Sequence, residues 1–285
     1  MALKQPAARR SCLTVPGSSE KMLAKAALLA ADEIVLDLED SVVASAKREA
    51  RDRVAKLLTG DDWQRRRVAV RVNAIGSPWW EDDVTAVVAA RHPQLSLVVP
   101  KVESAATLAE LDARLGQAPL GVQALIESAA GLAYAREIAA SGRRLEALIL
   151  GYADLAASLG RAADSTQPWL FAQETLLLAA RAHGLQAIDG PFFTIGDAAG
   201  LRRAADTARQ LGFDGKWAIH PGQIAAINTA FTPGEAEVNR ARALLAALDD
   251  AGARGQGAAA FEGGMIDEAM RAAALRTLAR VGVTP

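Results

Sequence analysis

The chain has 285 residues, 51% of them hydrophobic and 23% charged, which is ample material for a large core, gives no sign of disorder and makes one catalytic domain the expectation. A formal net charge of -1 and a pI near 6.3, with basic residues spread along predicted helices rather than gathered in a stripe, exclude nucleic acid as a partner. The single cysteine, Cys12, excludes an internal disulfide or a multi-cysteine metal site; with no apolar run of roughly 18 residues and no signal-peptide pattern, the sequence reads as a cytoplasmic protein without a membrane partner.

Short β-branched or apolar runs alternate along the chain with longer alanine-rich amphipathic segments. The predicted strands are Cys12 to Val15, Ile34 to Leu38, Val68 to Asn73, Leu95 to Pro100, Val122 to Glu127, Ala147 to Leu150, Gln186 to Asp189 and Trp217 to Ile219. Helical spacing is clear at Glu20 to Ala31, Ala44 to Leu58, Ala105 to Leu115, Ala129 to Ala140 and Pro168 to His183. Eight such units close a barrel, so the predicted class is α/β, a (β/α)8 TIM barrel. A doubly wound sheet is the alternative, weakened because Val15-Pro16-Gly17-Ser18-Ser19 stands where a glycine-rich dinucleotide fingerprint would follow the first strand. Beyond the eighth strand, Pro233 to Asp250 and Met265 to Val281 read as additional C-terminal helices. The glycine- and alanine-rich stretch between them, Ala251 to Gly264, predicts a flexible link carrying the last helix as a mobile arm. The expected division is a catalytic barrel over 1–232 and a helical extension over 233–285.

Chemistry in such a barrel sits at the C-terminal ends of the strands. Those ends deliver Asp37, Glu39 and Asp40, then Arg71 and Asn73, Lys101 and Glu103, Glu127, Tyr152 and Asp154, Asp189, and His220. Any one carboxylate there has a structural reading as a helix cap, and for Asp40 the two readings stand level. The whole set does not, since capping needs no arginine, lysine and histidine on the same rim. Glu127 and Asp154, expected on adjacent strand ends, are oxygen donors suited to a hard cation such as Mg2+. Zinc is disfavoured by the shortage of histidines, and the rival reading of an acid/base carboxylate pair for glycoside hydrolysis is weakened by Arg71, a fork shaped for a substrate carboxylate. Lys101 suggests either a Schiff-base aldolase or a support for an anionic group. Glu39 and Asp40 are expected to orient Arg71 or metal-bound water. A hydrogen-bonding role is favoured for His220, and packing for Trp79 and Trp80.

Taken together and in order, the stretches Arg10-Ser11-Cys12-Leu13-Thr14-Val15-Pro16-Gly17, Asp37-Leu38-Glu39-Asp40-Ser41-Val42, Arg71-Val72-Asn73, Pro100-Lys101-Val102-Glu103, Ile126-Glu127-Ser128 and Ala218-Ile219-His220-Pro221 resemble the citrate lyase β-subunit (CitE-like) group of the aldolase and malyl-CoA lyase superfamily. The resemblance implies Mg2+ held by Glu127 and Asp154, with Arg71 binding the acid end of the substrate. It also implies an acid/base role for Asp267, in Gly264-Met265-Ile266-Asp267, reaching the active site of a neighbouring subunit of a homotrimer or hexamer; a carboxylate favoured by the helix N-terminus is the other reading of Asp267. The implied activity is Mg2+-dependent carbon-carbon cleavage of a small hydroxyacyl thioester, citryl-, malyl- or citramalyl-like, to an oxo acid and an acyl thioester carried on CoA or an acyl-carrier protein. The alternatives are a metal-dependent pyruvate-type aldolase and a non-catalytic thioester-binding barrel. On this reading the catalytic set is Arg71, Asp267, Asp40 and Glu39, with Arg71 and Lys101 binding substrate.

Overall fold

Eight parallel strands close on themselves in the computed structural model, which describes residues 8–162 and 168–281. They are β1 (Ser11–Pro16), β2 (Glu33–Asp37), β3 (Val68–Arg71), β4 (Leu95–Val99), β5 (Gly121–Ile126), β6 (Leu145–Leu150), β7 (Gln186–Asp189) and β8 (Gly215–Ala218). Each pairs with the next, and β1 closes the barrel on β8 through Cys12 beside Trp217 and Leu13 beside Ala218. All eight predicted strands are present, with ends unchanged or moved by at most two residues. Among the described residues no helix is long and apolar enough to cross a membrane.

Side chains alternate across a strand with a period of two, so every second residue enters the barrel. Three inward layers result. The middle layer is apolar, formed by Cys12, Val35, Ala69, Val98, Leu125, Ala147, Ile149, Ile188 and Trp217. Two residues back, the layer at the N-terminal ends is polar and buried. There Arg9 donates to Glu33 at 3.0 Å, to Gln186 at 2.6 Å and to Glu146, while Gln123 donates to Glu33 at 3.1 Å. A bulge in the β5–β6 pairing at Val122/Gln123 leaves Glu146 without an opposite residue, re-aiming it at Arg9. This ion network plugs the end of the barrel that serves stability rather than chemistry. Two residues forward from the middle layer lie Thr14, Asp37, Arg71 and Glu127, and these form the mouth.

The described residues divide into two units, with the boundary between Asn228 and Thr229, where composition places it at 232; the outer limits of the expected domains, 1 and 285, lie outside the described residues. The C-terminal unit has its own core, in which Val238, Leu244, Leu245 and Leu248 of the helix Glu235–Ala253 meet Ile266, Ala274 and Leu278. The expected flexible link is an ordered hairpin instead. Strands β9 (Ala258–Phe261) and β10 (Gly264–Asp267) pair antiparallel. Glu262 and Gly263 between them both take positive φ, 46° and 79°, as a two-residue turn matched to strand twist requires. The final helix accordingly starts at Glu268 rather than Met265. Alanine and glycine suggest looseness, but here the small residues let the hairpin lie on the helix that carries the core.

Candidate active site

Register brings the mouth together. Asp37 and Arg71 are directly paired residues on β2 and β3, so their side chains rise side by side. Arg71 donates from Nε at 2.7 Å and from Nη2 at 2.6 Å to the two oxygens of Asp37, and its Nη1 lies 3.2 Å from Glu39. Burial alone would push the Asp37 carboxyl up, but this bidentate contact, with backbone N–H groups of Glu39 and Ser41 donating as well, holds it below the usual carboxylate range. Asp37, ambiguous in the sequence, is therefore the clamp that fixes the guanidinium.

Lys101 follows β4 in the left-handed region, φ 54°, an uncommon conformation for a residue with a side chain and one that clusters at functional sites. It aims two donors: its N–H reaches Glu127 Oε1 at 2.8 Å and its Nζ reaches Glu39 at 2.5 Å. Burial would lower the amine, yet Glu39 and then Asp40 raise it above the ordinary lysine value. A protonated amine is not a nucleophile, so this geometry favours the supporting role over a Schiff base. Asp40 is exposed and caps no helix; the short turn Ala44–Ala46 is preceded by Val43 with no side-chain cap, and Asp40 lines the cavity 3.6 Å from Lys101 Nζ.

Glu127, one residue past β5, and Asp154, in the first turn of the helix Tyr152–Ser158, line the same cavity of about 190 Å3 with Thr14, Asp40, Arg71 and Tyr152. Gly151 makes their approach possible: a Cβ there would stand 2.7 Å from Glu127 Oε2 and 2.6 Å from its Cβ. Burial, and the like charges of Glu39 and Asp154, push the Glu127 carboxyl up to about 8 against the opposing N–H of Lys101. Asp154 has no hydrogen bond or ion pair among the described residues. Carboxylates thus outnumber the two cations of the mouth: Glu127 has one backbone N–H and no cation paired with it, and Asp154 has neither, among the described residues. Both features fit Mg2+, which takes one or two carboxylates and fills its remaining positions with water and substrate oxygens. Among the described residues no group of three or more His, Cys, Asp or Glu converges on a metal position, which suits this open arrangement and not a closed zinc site.

A pH dependence follows. The raised Glu127 carboxyl stabilises the metal-free fold fully below its ordinary value of 4.5, and that contribution is lost as pH rises through about 8. Calorimetry of chelator-treated protein is expected to show the melting temperature falling between about pH 5 and about pH 8, with the upward shift caused by added Mg2+ growing over the same interval. Glu127→Gln should remove both trends; a magnesium shift that is flat with pH contradicts the assignment.

The remaining sequence candidates have partners of their own. His220 accepts from the Gly222 N–H at 3.1 Å and starts a short turn. Trp79 carries the Lys47 amine over its ring at 5.2 Å, and Trp80 is buried. Asp267 caps the helix Glu268–Ala279, accepting from the Ala269 N–H at 3.0 Å. Asp189 forms a buried ion pair with Lys216 and accepts from Tyr152. The sequence placed Asp189 and Tyr152 on the rim but did not join them, and it missed Lys216, whose signal was a lysine at an otherwise apolar strand position.

Residues 10–221 match the HpcH/HpaI aldolase/citrate lyase family. The chain is 40% identical over 290 aligned positions to the L-malyl-CoA/beta-methylmalyl-CoA lyase of Cereibacter sphaeroides, covering 92% of this chain and 91% of that one. It is 39% identical over 275 positions to a (3S)-malyl-CoA thioesterase of the same species, covering 95% and 94%. Among solved structures, CitE of Mycobacterium tuberculosis in complex with magnesium, acetoacetate and coenzyme A superposes with a TM-score of 0.80 at 36% identity, covering 97% of this chain and 99% of that one.

Proposed function

Because this chain belongs to the HpcH/HpaI aldolase/citrate lyase family, we propose that it is a magnesium-dependent carbon-carbon lyase acting on a small hydroxyacyl-CoA thioester of the malyl type. The observation that carries the reading is the convergence of Glu127, Asp154 and Arg71 on one cavity at the catalytic end of the barrel. Glu127 and Asp154 hold the Mg2+. Bound there, the metal supplies Lewis-acid stabilisation of the oxygen that becomes the oxo group.

Arg71, fixed by Asp37, binds the carboxylate of the acid half. The other walls, Leu125, Leu150, Pro191, Phe193, Trp217 and Ile219, are apolar, and the Lys101 amine is taken up by Glu39, which favours a monocarboxylate acid over a citryl group. A base takes the hydroxyl proton, the carbon-carbon bond breaks, and its electron pair passes to the α-carbon of the acyl thioester, where the thioester carbonyl delocalises it. That carbon then takes a proton, leaving an oxo acid and an acyl-CoA, with no co-reactant needed. The family resemblance supports Asp267 as the base, presented by a second copy within a homotrimer or hexamer. A buried free Cys12 accords with a cytoplasmic setting.

The thioesterase relative supports a second reading, hydrolysis of the same substrate. Incubation with malyl-CoA and a thiol reagent separates them. Lyase action gives metal-dependent oxo acid with no free thiol, abolished by chelator; free CoA thiol and malate would replace this reading with the thioesterase.

A further inference from the structure

The phenol of Tyr152 is held from four sides. Its hydroxyl donates to Asp189 Oδ1 and accepts from Gln173 Nε2 at 2.9 Å. Gln173 also donates to Asp189 at 3.2 Å, and the buried Lys216 amine donates to the other Asp189 oxygen and to Gly190 O at 2.7 Å. One edge of the ring lies against Gly190 so closely that a Cβ there would come 2.5 Å from Cδ2 and 2.7 Å from Cε2. Trp169 packs on it with ring centroids 5.1 Å apart, and Arg161 covers Trp169 in turn, 3.9 Å from its centroid. Tyr152 is 8% exposed and lines the cavity two positions before Asp154.

A side chain that only filled space needs no such restraint. An ion pair, two hydrogen bonds, an aromatic neighbour and a glycine cut to its outline all hold one ring in one position, in a residue that lines the cavity beside Asp154. The cavity measures about 190 Å3, against the roughly 150 Å3 that takes up one benzene molecule. A space of this order takes one small molecule.

We propose that Tyr152 is the specificity-determining wall of the acid subsite, limiting the length of the 2-oxo acid that the site accepts. The inference rests on the lyase reading for the identity of the acid, and on geometry alone for the wall. Because the wall is rigid, a longer acid cannot push it aside. The preference against an added methylene should therefore approach the tenfold to two-hundredfold that a well-fitted apolar pocket imposes.

Titration calorimetry of the magnesium-loaded protein with glyoxylate, pyruvate, 2-oxobutyrate and 2-oxovalerate tests this directly. Wild type should bind the two short acids at least about tenfold more tightly than the longer pair. Tyr152→Phe keeps the ring and should keep the ranking. Tyr152→Ala should bring 2-oxobutyrate at least about tenfold closer to glyoxylate, and Tyr152→Leu should show a smaller shift in the same direction if the alanine variant does not fold. An unchanged ranking in the truncated variants, or no binding of any 2-oxo acid by wild type, overturns the proposal. Thioester turnover measured on the same samples separates the two readings: a shifted ranking without turnover sustains the wall and removes the lyase, while turnover with an unshifted ranking does the reverse.

Discussion

Glu127→Ala is expected to lower magnesium-dependent turnover by at least about a thousandfold, the several kcal/mol that a Lewis acid contributes to the barrier. Three features make this the most sensitive position. Glu127 is one of the two carboxylates assigned to the metal, it is 4% exposed, and on the adjacent strand end stands Gly151, whose replacement by any larger residue would strike the carboxylate. Titration calorimetry with Mg2+ should show binding lost, while circular dichroism should show the barrel intact, because no structural ion pair depends on this side chain. At alkaline pH the metal-free variant should melt above the metal-free wild type, since the carboxyl that burial pushes up to about 8 is an unfavourable charge in the folded chain. Retention of full turnover in Glu127→Ala would move the metal elsewhere.

Arg71→Lys comes second, with an expected loss of about a hundredfold in kcat/KM, most of it in KM. The planar guanidinium engages both oxygens of Asp37 and still keeps Nη1 toward Glu39 and the cavity. A single ammonium cannot meet Asp37 bidentately and also present positive charge to a substrate carboxylate. Arg71→Ala goes further: Asp37, fully buried, loses its counter-charge, and removing one partner of such a pair costs about 3–5 kcal/mol of stability. Steady-state kinetics and thermal melts separate the effects. Lysine should hold the fold and lose substrate affinity, whereas alanine should lose both. Equal kinetics for lysine and arginine would contradict a forked grip on the acid.

The barrel was legible because its strands carry a simple code. Glu33, Val35 and Asp37 on β2, or Gln123, Leu125 and Glu127 across β5 and its end, read polar, apolar, polar at every second position, and the apolar flanks between them mark helices. The polar residues at the forward ends therefore pointed to the mouth before any coordinate was known. What stayed hidden depends on contacts between distant segments. Asp37 looked like a possible cap until its register with Arg71 made it a clamp, and Asp40 caps nothing. The Tyr152, Gln173, Asp189 and Lys216 network joins residues 16 to 37 positions apart, beyond the reach of any local pattern. Composition misled at Ala251 to Gly264, where the decisive signal was the dipeptide Glu262-Gly263 between two short apolar runs, a hairpin turn rather than a loose link.

Running the reaction backwards tests the central claim most directly, since only a carbon-carbon lyase can make the bond it breaks. Acetyl-CoA and glyoxylate, incubated with the protein and Mg2+, should yield a hydroxyacyl-CoA whose mass equals that of the two reactants together, with no product after chelation or in Glu127→Ala. Hydrolysis of malyl-CoA without any condensation product would contradict the lyase and leave a thioesterase in its place.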